Sequence, residues 1–312
     1  MLIINTENGI RKSDHAQAKT SYNKFKGWHC GAGLEFLWIS NLGDVFGNVC
    51  RHSGKYGNVF TDFILPTGPM ICPADSCYCA ADLNILKSKK IKDFNSLRHL
   101  ADFSAPKYNK EKIISMQTHN PEFAINWNIG KRCNYDCSYC PATVHDNFSP
   151  HLGLELFKNA FDKIYIHANG QPLKITFTGG EPTVNPDYYD IVNYAVKHGT
   201  KVVTNTNGTG SFNKLSKLQE AGGLNISVHT EFYQSKKLAE KIEKLSKIKQ
   251  GHCNIKFMLS PGQLHTCQDF FDTLPKSNKN YNVSIEPLVD KSNNNRILDY
   301  TEDELEFIRK PR

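Results

Sequence analysis

Apolar and polar positions change period repeatedly along the second half of the chain. Residues 122–129 alternate, with aromatic and β-branched side chains among the apolar positions, and this predicts a strand. Residues 152–165 then carry apolar side chains at helical spacing. The exchange recurs. Strands are predicted over 173–178, 201–205, 224–229, 254–259 and 281–286, and helices near 187–198, 212–221, 234–249 and 266–274. Six strands joined by helices through short links predict a parallel sheet with helices outside. Six are too few for the usual eight-stranded barrel, so the expected fold class is α/β, an open partial (β/α)6 TIM-like barrel. Parallel α/β architectures collect their sites at the C-terminal ends of strands. Polar signatures stand at those ends here. A cysteine run follows the first strand, Gly179-Gly180-Glu181-Pro182 the second, and Asn205-Thr206-Asn207-Gly208 the third. Ser227 and His229 end the fourth, and Glu286-Pro287 the sixth.

The first third reads differently. Between Cys30 and Cys50, two apolar runs flank Asn41-Leu42-Gly43-Asp44, which predicts a β-hairpin. Cys72, Cys77 and Cys79 follow. A module this small rarely holds together without staples, and metal is one. The expected organisation is therefore an N-terminal extension over 1–27, polar and poorly ordered, then a cysteine-rich hairpin module over 28–82. A lysine-rich linker with a helix near 96–103 spans 83–120, the barrel spans 121–290, and a C-terminal helix and tail span 291–312. Thr301 and Glu304 form a helix-start capping pattern.

Composition narrows the class. Hydrophobic content of 39% with 22% charged residues is that of a soluble globular chain. No run approaches the roughly 20 apolar residues of a membrane span. The N-terminus lacks an apolar core of signal-peptide length, so a cytoplasmic protein without a membrane partner is expected. Ten cysteines in a reducing compartment point to metal rather than disulfides. The net charge of +7 permits an acidic partner, but the lysines are scattered. The densest blocks, 87–92 and 236–249, read as solvated helix faces, and nucleic-acid binding is not indicated.

The cysteine run is Cys133-Asn134-Tyr135-Asp136-Cys137-Ser138-Tyr139-Cys140, a CxxxCxxC pattern. Three closely spaced thiolates can hold three irons of a 4Fe–4S cube and leave the fourth iron without a protein ligand. An open iron is a place for chemistry, by the logic that separates catalytic from structural metal sites. Zinc is the competing reading; it wants four ligands, and His145 is the nearby candidate for the fourth. Together with Gly-Gly-Glu-Pro placed after an apolar strand, the run resembles the radical S-adenosylmethionine (SAM) enzymes. The resemblance covers about residues 120–290 and implies the same (β/α)6 fold. It implies that SAM chelates the open iron and that one electron cleaves it to methionine and a 5′-deoxyadenosyl radical, which abstracts hydrogen from a substrate. It implies Cys133, Cys137 and Cys140 as cluster ligands and Tyr139 beside the adenine. It implies Gly179, Gly180 and Glu181 at the SAM ammonium, Asn205 and Asn207 at its carboxylate and ribose, and Ser227 at the ribose. His229 and Glu231 are candidate substrate contacts, and an electron donor such as flavodoxin or ferredoxin is implied as partner.

The N-terminal pattern of Cys30-Gly31-Ala32-Gly33, an apolar strand, Gly43-Asp44-Val45-Phe46 and Cys50 resembles the SPASM and twitch auxiliary-cluster modules of that superfamily. Here the module precedes the barrel instead of following it, and Gly43 and Cys50 are further apart than in the family pattern. The resemblance implies a second, auxiliary 4Fe–4S cluster with four ligands drawn from Cys30, Cys50, Cys72, Cys77 and Cys79; a structural zinc in the same loops stays open. Cys253 and Cys267 read as ordinary barrel cysteines. The expected function is a radical SAM enzyme acting on an unidentified substrate, with modification of a peptide or protein first. Radical modification of a sugar or nucleotide is the alternative, as is a non-catalytic Fe–S or zinc-binding protein.

Overall fold

Alternating apolar side chains can be buried only if one face of each strand meets a second layer, and the chain builds that layer from its helices. The computed structural model describes residues 2–6, 9–13, 23–77, 79–94, 115–117, 122–232, 235–274, 281–290 and 296–309. The expected helix near 96–103 and much of the 1–27 extension lie outside the described residues. The chain divides into two units, residues 1–127 with 159–174, and residues 128–158 with 175–312.

The first unit begins with β1 (Leu2–Thr6), β2 (Gly9–Ser13), β3 (His29–Cys30), β4 (Phe36–Ile39), β5 (Asp44–Phe46), β6 (Lys55–Asn58) and β7 (Met70–Ile71). The short helix α1 (Ala80–Leu83), β8 (Lys87–Ser88), β9 (Ser115–Gln117) and β10 (Phe123–Asn128) follow. One antiparallel sheet has the order β2–β1–β9–β8–β3–β7. The expected hairpin is β4–β5, paired antiparallel with Trp38 opposite Phe46 and Ile39 opposite Val45. Its strand β4 also pairs in parallel with β10, Ala124 to Trp127 against Phe36 to Ile39. Phe25, Cys30, Ala32, Phe36, Cys72, Leu83 and Ile85 form a buried cluster in this unit. The block at 87–92 is not a solvated helix face. Lys87 lies on a strand and is 1% exposed, its ammonium donating to the carbonyls of Asp82 and Ile85 and facing the Phe25 ring. Those acceptors make a buried lysine tolerable.

From β10 onward the strand–helix alternation is the one expected. The elements are α2 (Leu154–Ala168), β11 (Leu173–Thr178), α3 (Tyr188–Lys197), β12 (Lys201–Thr206), α4 (Phe212–Glu220) and β13 (Gly222–His229). They continue with α5 (Ser235–Leu245), β14 (His252–Leu259), α6 (Leu264–Thr273) and β15 (Asn282–Pro287). β16 (Val289–Asp290), β17 (Arg296–Ile297) and α7 (Glu302–Arg309) close the chain. This is the element order of a partial (β/α)6 barrel. In the second unit the strands run β11–β12–β13–β14–β15, with parallel registers from β12 to β15.

Each strand buries alternate residues. In β13 Leu224, Ile226 and Val228 are buried while Asn225, Ser227 and His229 are half-buried. The buried set faces the helices: Thr204 bonds Tyr188 of α3 at 2.6 Å, and Phe257 packs on Phe270 of α6 with ring centres 5.2 Å apart. The other set therefore faces away from the helices. Cys253 and Cys267 are buried core residues, as expected. The capping pattern at α7 closes on itself, with Thr301 N–H donating to Glu304 Oε2 at 2.8 Å and Glu304 N–H to Thr301 Oγ1 at 3.3 Å. Among the described residues no helix is long and apolar enough to cross a membrane.

Candidate functional site

The cysteine loop leaves β10 and is stitched at once to the Gly-Gly-Glu-Pro turn. Gly180 N–H donates to Gly130 O and Glu181 N–H to Arg132 O, both at 2.9 Å. The glycines are required by this backbone-to-backbone approach. A Cβ on Gly179 would lie 2.3 Å from Gly130 O, and one on Gly180 would lie 2.2 Å from Lys131 O. Sequence reasoning expected the glycines to make room for a ligand; the structure also uses them to seat the cysteine loop.

Cys133, Cys137 and Cys140 line one cleft with Tyr139, Gly179, Gly180, Glu181, Asn205, Asn207, Ser227 and His229. The cluster and SAM residues expected from the barrel portion of the sequence thus share one cleft, with a cavity volume of about 160 Å³; Glu231 does not line it. Within the loop, Cys140 N–H turns back onto Cys137 O at 2.9 Å, and Tyr135 N–H donates to Cys133 Sγ at 3.4 Å. Hydrogen bonds to ligating sulfurs are one of the means by which proteins tune iron–sulfur clusters.

Side chains outside the cysteine pattern hold the loop in place. Ser138 N–H donates to Glu231 Oε2 at 2.8 Å, and its hydroxyl donates to Glu231 Oε1. Tyr139 OH reaches His229 Nδ1 at 2.6 Å, with the rings nearly parallel. Tyr135 stacks on Phe232 with centres 4.5 Å apart. His229 and Glu231, candidates for substrate contact in the sequence, therefore anchor the loop. Asn207 Nδ2 donates to Asn134 Oδ1 at 2.9 Å while its Oδ1 accepts from Thr209 N–H at 3.1 Å. Asn134, Thr183, Thr206 and Ser138 were not singled out from sequence. Small polar residues beside a motif carry no signal until their partners are known.

Glu181 is 2% exposed and surrounded by donors. Its Oε1 accepts from Thr183 N–H (3.1 Å), Thr183 Oγ1 (2.6 Å) and Thr206 Oγ1 (2.8 Å), and its Oε2 from Asn207 N–H at 2.6 Å. The carboxylate joins the turn after β11 to the turn after β12. Burial raises its pKa, and the same four hydrogen bonds oppose the rise.

The cleft favours neutral groups while it holds only protein. Burial pushes the Cys137 thiol up to about 11 and raises Cys133 as well, with the neighbouring thiols adding to both shifts. Burial likewise raises the Tyr139 phenol and lowers His229. Thiols held this way ionise when a metal supplies positive charge, releasing protons as it binds.

The donor set fits an iron–sulfur cube. Thiolates are the soft ligands such clusters use. Among the described residues no three His, Cys, Asp or Glu side chains converge closely enough to hold a single metal ion. A cube asks for less convergence, because each thiolate binds a different iron. His145 also lines the cleft, but its Nε2 is turned to Asp136 at 3.1 Å and its buried Nδ1 has no hydrogen-bond partner among the described residues.

In the first unit the five N-terminal thiols share one neighbourhood. Cys30 on β3 and Cys72 after β7 lie in the same buried cluster, against which Cys77 packs. Cys79 stands at the start of α1. Cys50 is exposed as a residue, yet its thiol bonds the buried Asp82 carboxylate, which also accepts from Val49 N–H (2.7 Å) and Cys50 N–H (2.9 Å). Burial pushes Cys50 and Cys77 up to about 12, and each feels the charges of Asp82 and Cys30. The buried ammonium of Lys87 opposes the rise at Cys77 and Cys30. None of the ten cysteines forms a disulfide with a described residue.

Residues 127–252 match the family model of the Radical SAM superfamily. The chain is 37% identical over 100 residues to an Fe-coproporphyrin III synthase of Methanosarcina barkeri, a match covering 31% of this chain and 24% of that protein. It is 37% identical over 87 residues to an S-adenosylmethionine-dependent nucleotide dehydratase of Selenomonas ruminantium, covering 28% and 30%. It is 30% identical over 84 residues to the mycofactocin maturase MftC of Mycobacterium tuberculosis, covering 27% and 21%. The chain thus spans less than a third of the length of each of these relatives.

Proposed function

We propose that this chain, whose residues 127–252 match the Radical SAM superfamily model, cleaves S-adenosylmethionine reductively at a 4Fe–4S cluster held by Cys133, Cys137 and Cys140. The observation that carries this reading is the meeting of three thiols with Gly179, Gly180 and Glu181 on one cleft. When bound, the cluster supplies one electron to SAM, giving methionine and a 5′-deoxyadenosyl radical that takes a hydrogen atom from substrate.

The chain's own groups bind, orient and shield. Carbonyls of Gly179 and Gly180 accept from the SAM ammonium, as an unbranched backbone allows close approach. Tyr139, held by His229, forms a wall for the adenine. Asn205 and Ser227 offer polar groups to the carboxylate and ribose. Asn207 and Glu181 act largely by fixing the turns that carry these groups. A low-potential donor such as flavodoxin or ferredoxin supplies the electron. The free thiols suit a reducing cytoplasm.

Four of the five N-terminal thiols, Cys30, Cys50, Cys72, Cys77 and Cys79, hold a second, auxiliary 4Fe–4S cluster. Their common neighbourhood supports this, as does the buried cation Lys87 among groups that become anionic on binding iron. A peptide or protein substrate is first among the sequence expectations, and one relative is named a maturase. Other relatives are named for nucleotides and heme. The reaction is proposed without that restriction.

The test is anaerobic reconstitution with iron and sulfide, reduction, and measurement of 5′-deoxyadenosine. The wild-type chain is expected to form it in a SAM-dependent way, and Cys137→Ala to lose it together with the cube. A fully loaded wild-type protein that forms none would be a non-catalytic iron–sulfur protein.

A further inference from the structure

The side of β12–β15 that faces away from the helices is polar across its width. Asn205, Asn225, Asn254 and Asn282 stand opposite one another on neighbouring parallel strands. Their amides form a ladder. Asn225 Nδ2 donates to Asn205 Oδ1 at 2.7 Å, Asn254 Nδ2 to Asn225 Oδ1 at 2.9 Å, and Asn282 Nδ2 to Asn254 Oδ1 at 3.1 Å. A primary amide has two donor hydrogens and two acceptor lone pairs, so each rung keeps unused capacity. Barrel interiors filled only for stability are packed with Val, Ile and Leu. This face is instead lined with groups suited to a polar molecule, and Asn205 opens it onto the cysteine cleft.

The next row toward the strand ends is Ser227, Lys256 and Ser284, again in register. Ser227 lines the cysteine cleft. Lys256 is half-buried, lies two residues beyond Asn254 on the same face, and makes no hydrogen bond or ion pair with any described residue. Glu286, in the row beyond with His229 and Met258, forms no ion pair among the described residues either. A half-shielded ammonium with no partner among the described residues is open to a charge-assisted hydrogen bond from an arriving anion.

We propose that Lys256, on this face, binds an anionic group, a carboxylate or a phosphate, on a small polar substrate. The word substrate rests on the radical reading above; the anion site does not. The serines beside Lys256 and the asparagine row below it supply neutral hydrogen bonds to the rest of the molecule, within the cavity that also receives SAM.

The test uses the full chain, reconstituted anaerobically and loaded with SAM so that the open iron is occupied. Pyrophosphate and glutarate are titrated separately by calorimetry, in low and in high salt. Saturable binding of one probe is expected, weakened by salt, and its identity tells phosphate from carboxylate. Lys256→Gln should weaken it at least about tenfold, the loss of one charge-assisted hydrogen bond, while Lys256→Arg retains most of it. A circular dichroism melt establishes that the Gln variant is folded. Failure of both probes to saturate wild-type protein at millimolar concentration overturns the proposal, as does wild-type affinity in Lys256→Gln. Deoxyadenosine formation by the wild-type chain is measured separately. Lysine-dependent binding without it supports the anion site and sinks the radical reading.

Discussion

Replacing Glu181 with Gln takes one acceptor oxygen from a carboxylate that serves four hydrogen bonds. Three reach Oε1, from Thr183 N–H, Thr183 Oγ1 and Thr206 Oγ1. The new amide keeps its oxygen on that side, and its nitrogen then confronts Asn207 N–H where Oε2 accepted at 2.6 Å. A buried N–H left unmet costs about 1–3 kcal/mol. The apo protein should lose that much stability, read as a lower urea midpoint at unchanged slope. SAM affinity should fall alongside, tenfold for each 1.4 kcal/mol or so transmitted through the turn that carries Asn205 and Asn207. A spectral titration of the reconstituted cluster measures it. Thr206→Val, which removes a donor to the same carboxylate, should move both quantities in the same direction and by less. The reasoning is refuted if apo stability is unchanged while SAM binding is lost. Glu181 would then act by touching SAM, as the sequence motif alone suggests, and the four internal bonds would be incidental.

A Cys133/Cys137/Cys140→Ala variant should still bind about four irons at the N-terminal thiols, with a spectrum that ignores SAM; colourless protein containing zinc would favour the structural-metal reading. Gly180→Ala should impair iron retention, because its Cβ would lie 2.2 Å from Lys131 O and displace the cysteine loop, whereas Gly153→Ala, with only Asp187 at 3.9 Å, should not; equal iron content in the two would contradict this. Glu35 has its pKa pushed up to about 7 by burial, from an ordinary value of 4.5. Below 4.5 both folded and unfolded states are protonated and the group costs nothing; as pH rises toward 7 the unfolded state ionises first, so stability falls by up to about 3 kcal/mol and stays lower above it. Glu35→Gln retains an acceptor for Leu86 N–H and should remove that pH dependence, so identical melting profiles against pH for the two proteins would exclude it.

The period of apolar residues is a local property, and it was enough to find the six strands and the helices between them. β11 spans the residues its pattern indicated, and the other barrel strands differ by one or two residues at their ends. The cysteine run and Gly-Gly-Glu-Pro were equally legible, because spacing along eight residues and position after a strand survive without coordinates. What depends on pairing between distant segments was not. Parallel pairing of β4 with β10 joins residues far apart in sequence, and nothing in either strand names the other. Lys87 reads as one of a solvated cluster until Asp82 and Ile85 present carbonyls to it. Of the asparagine ladder only Asn205 stands in a legible motif; Asn225, Asn254 and Asn282 join it only once the registers of three strand pairs align them. Thus the sequence by itself determined the elements and the ligand types, since both follow from side-chain chemistry and short-range order. Only tertiary structure decided which polar groups share a face and which buried charges find partners, because register and long-range pairing are set by packing of the whole chain.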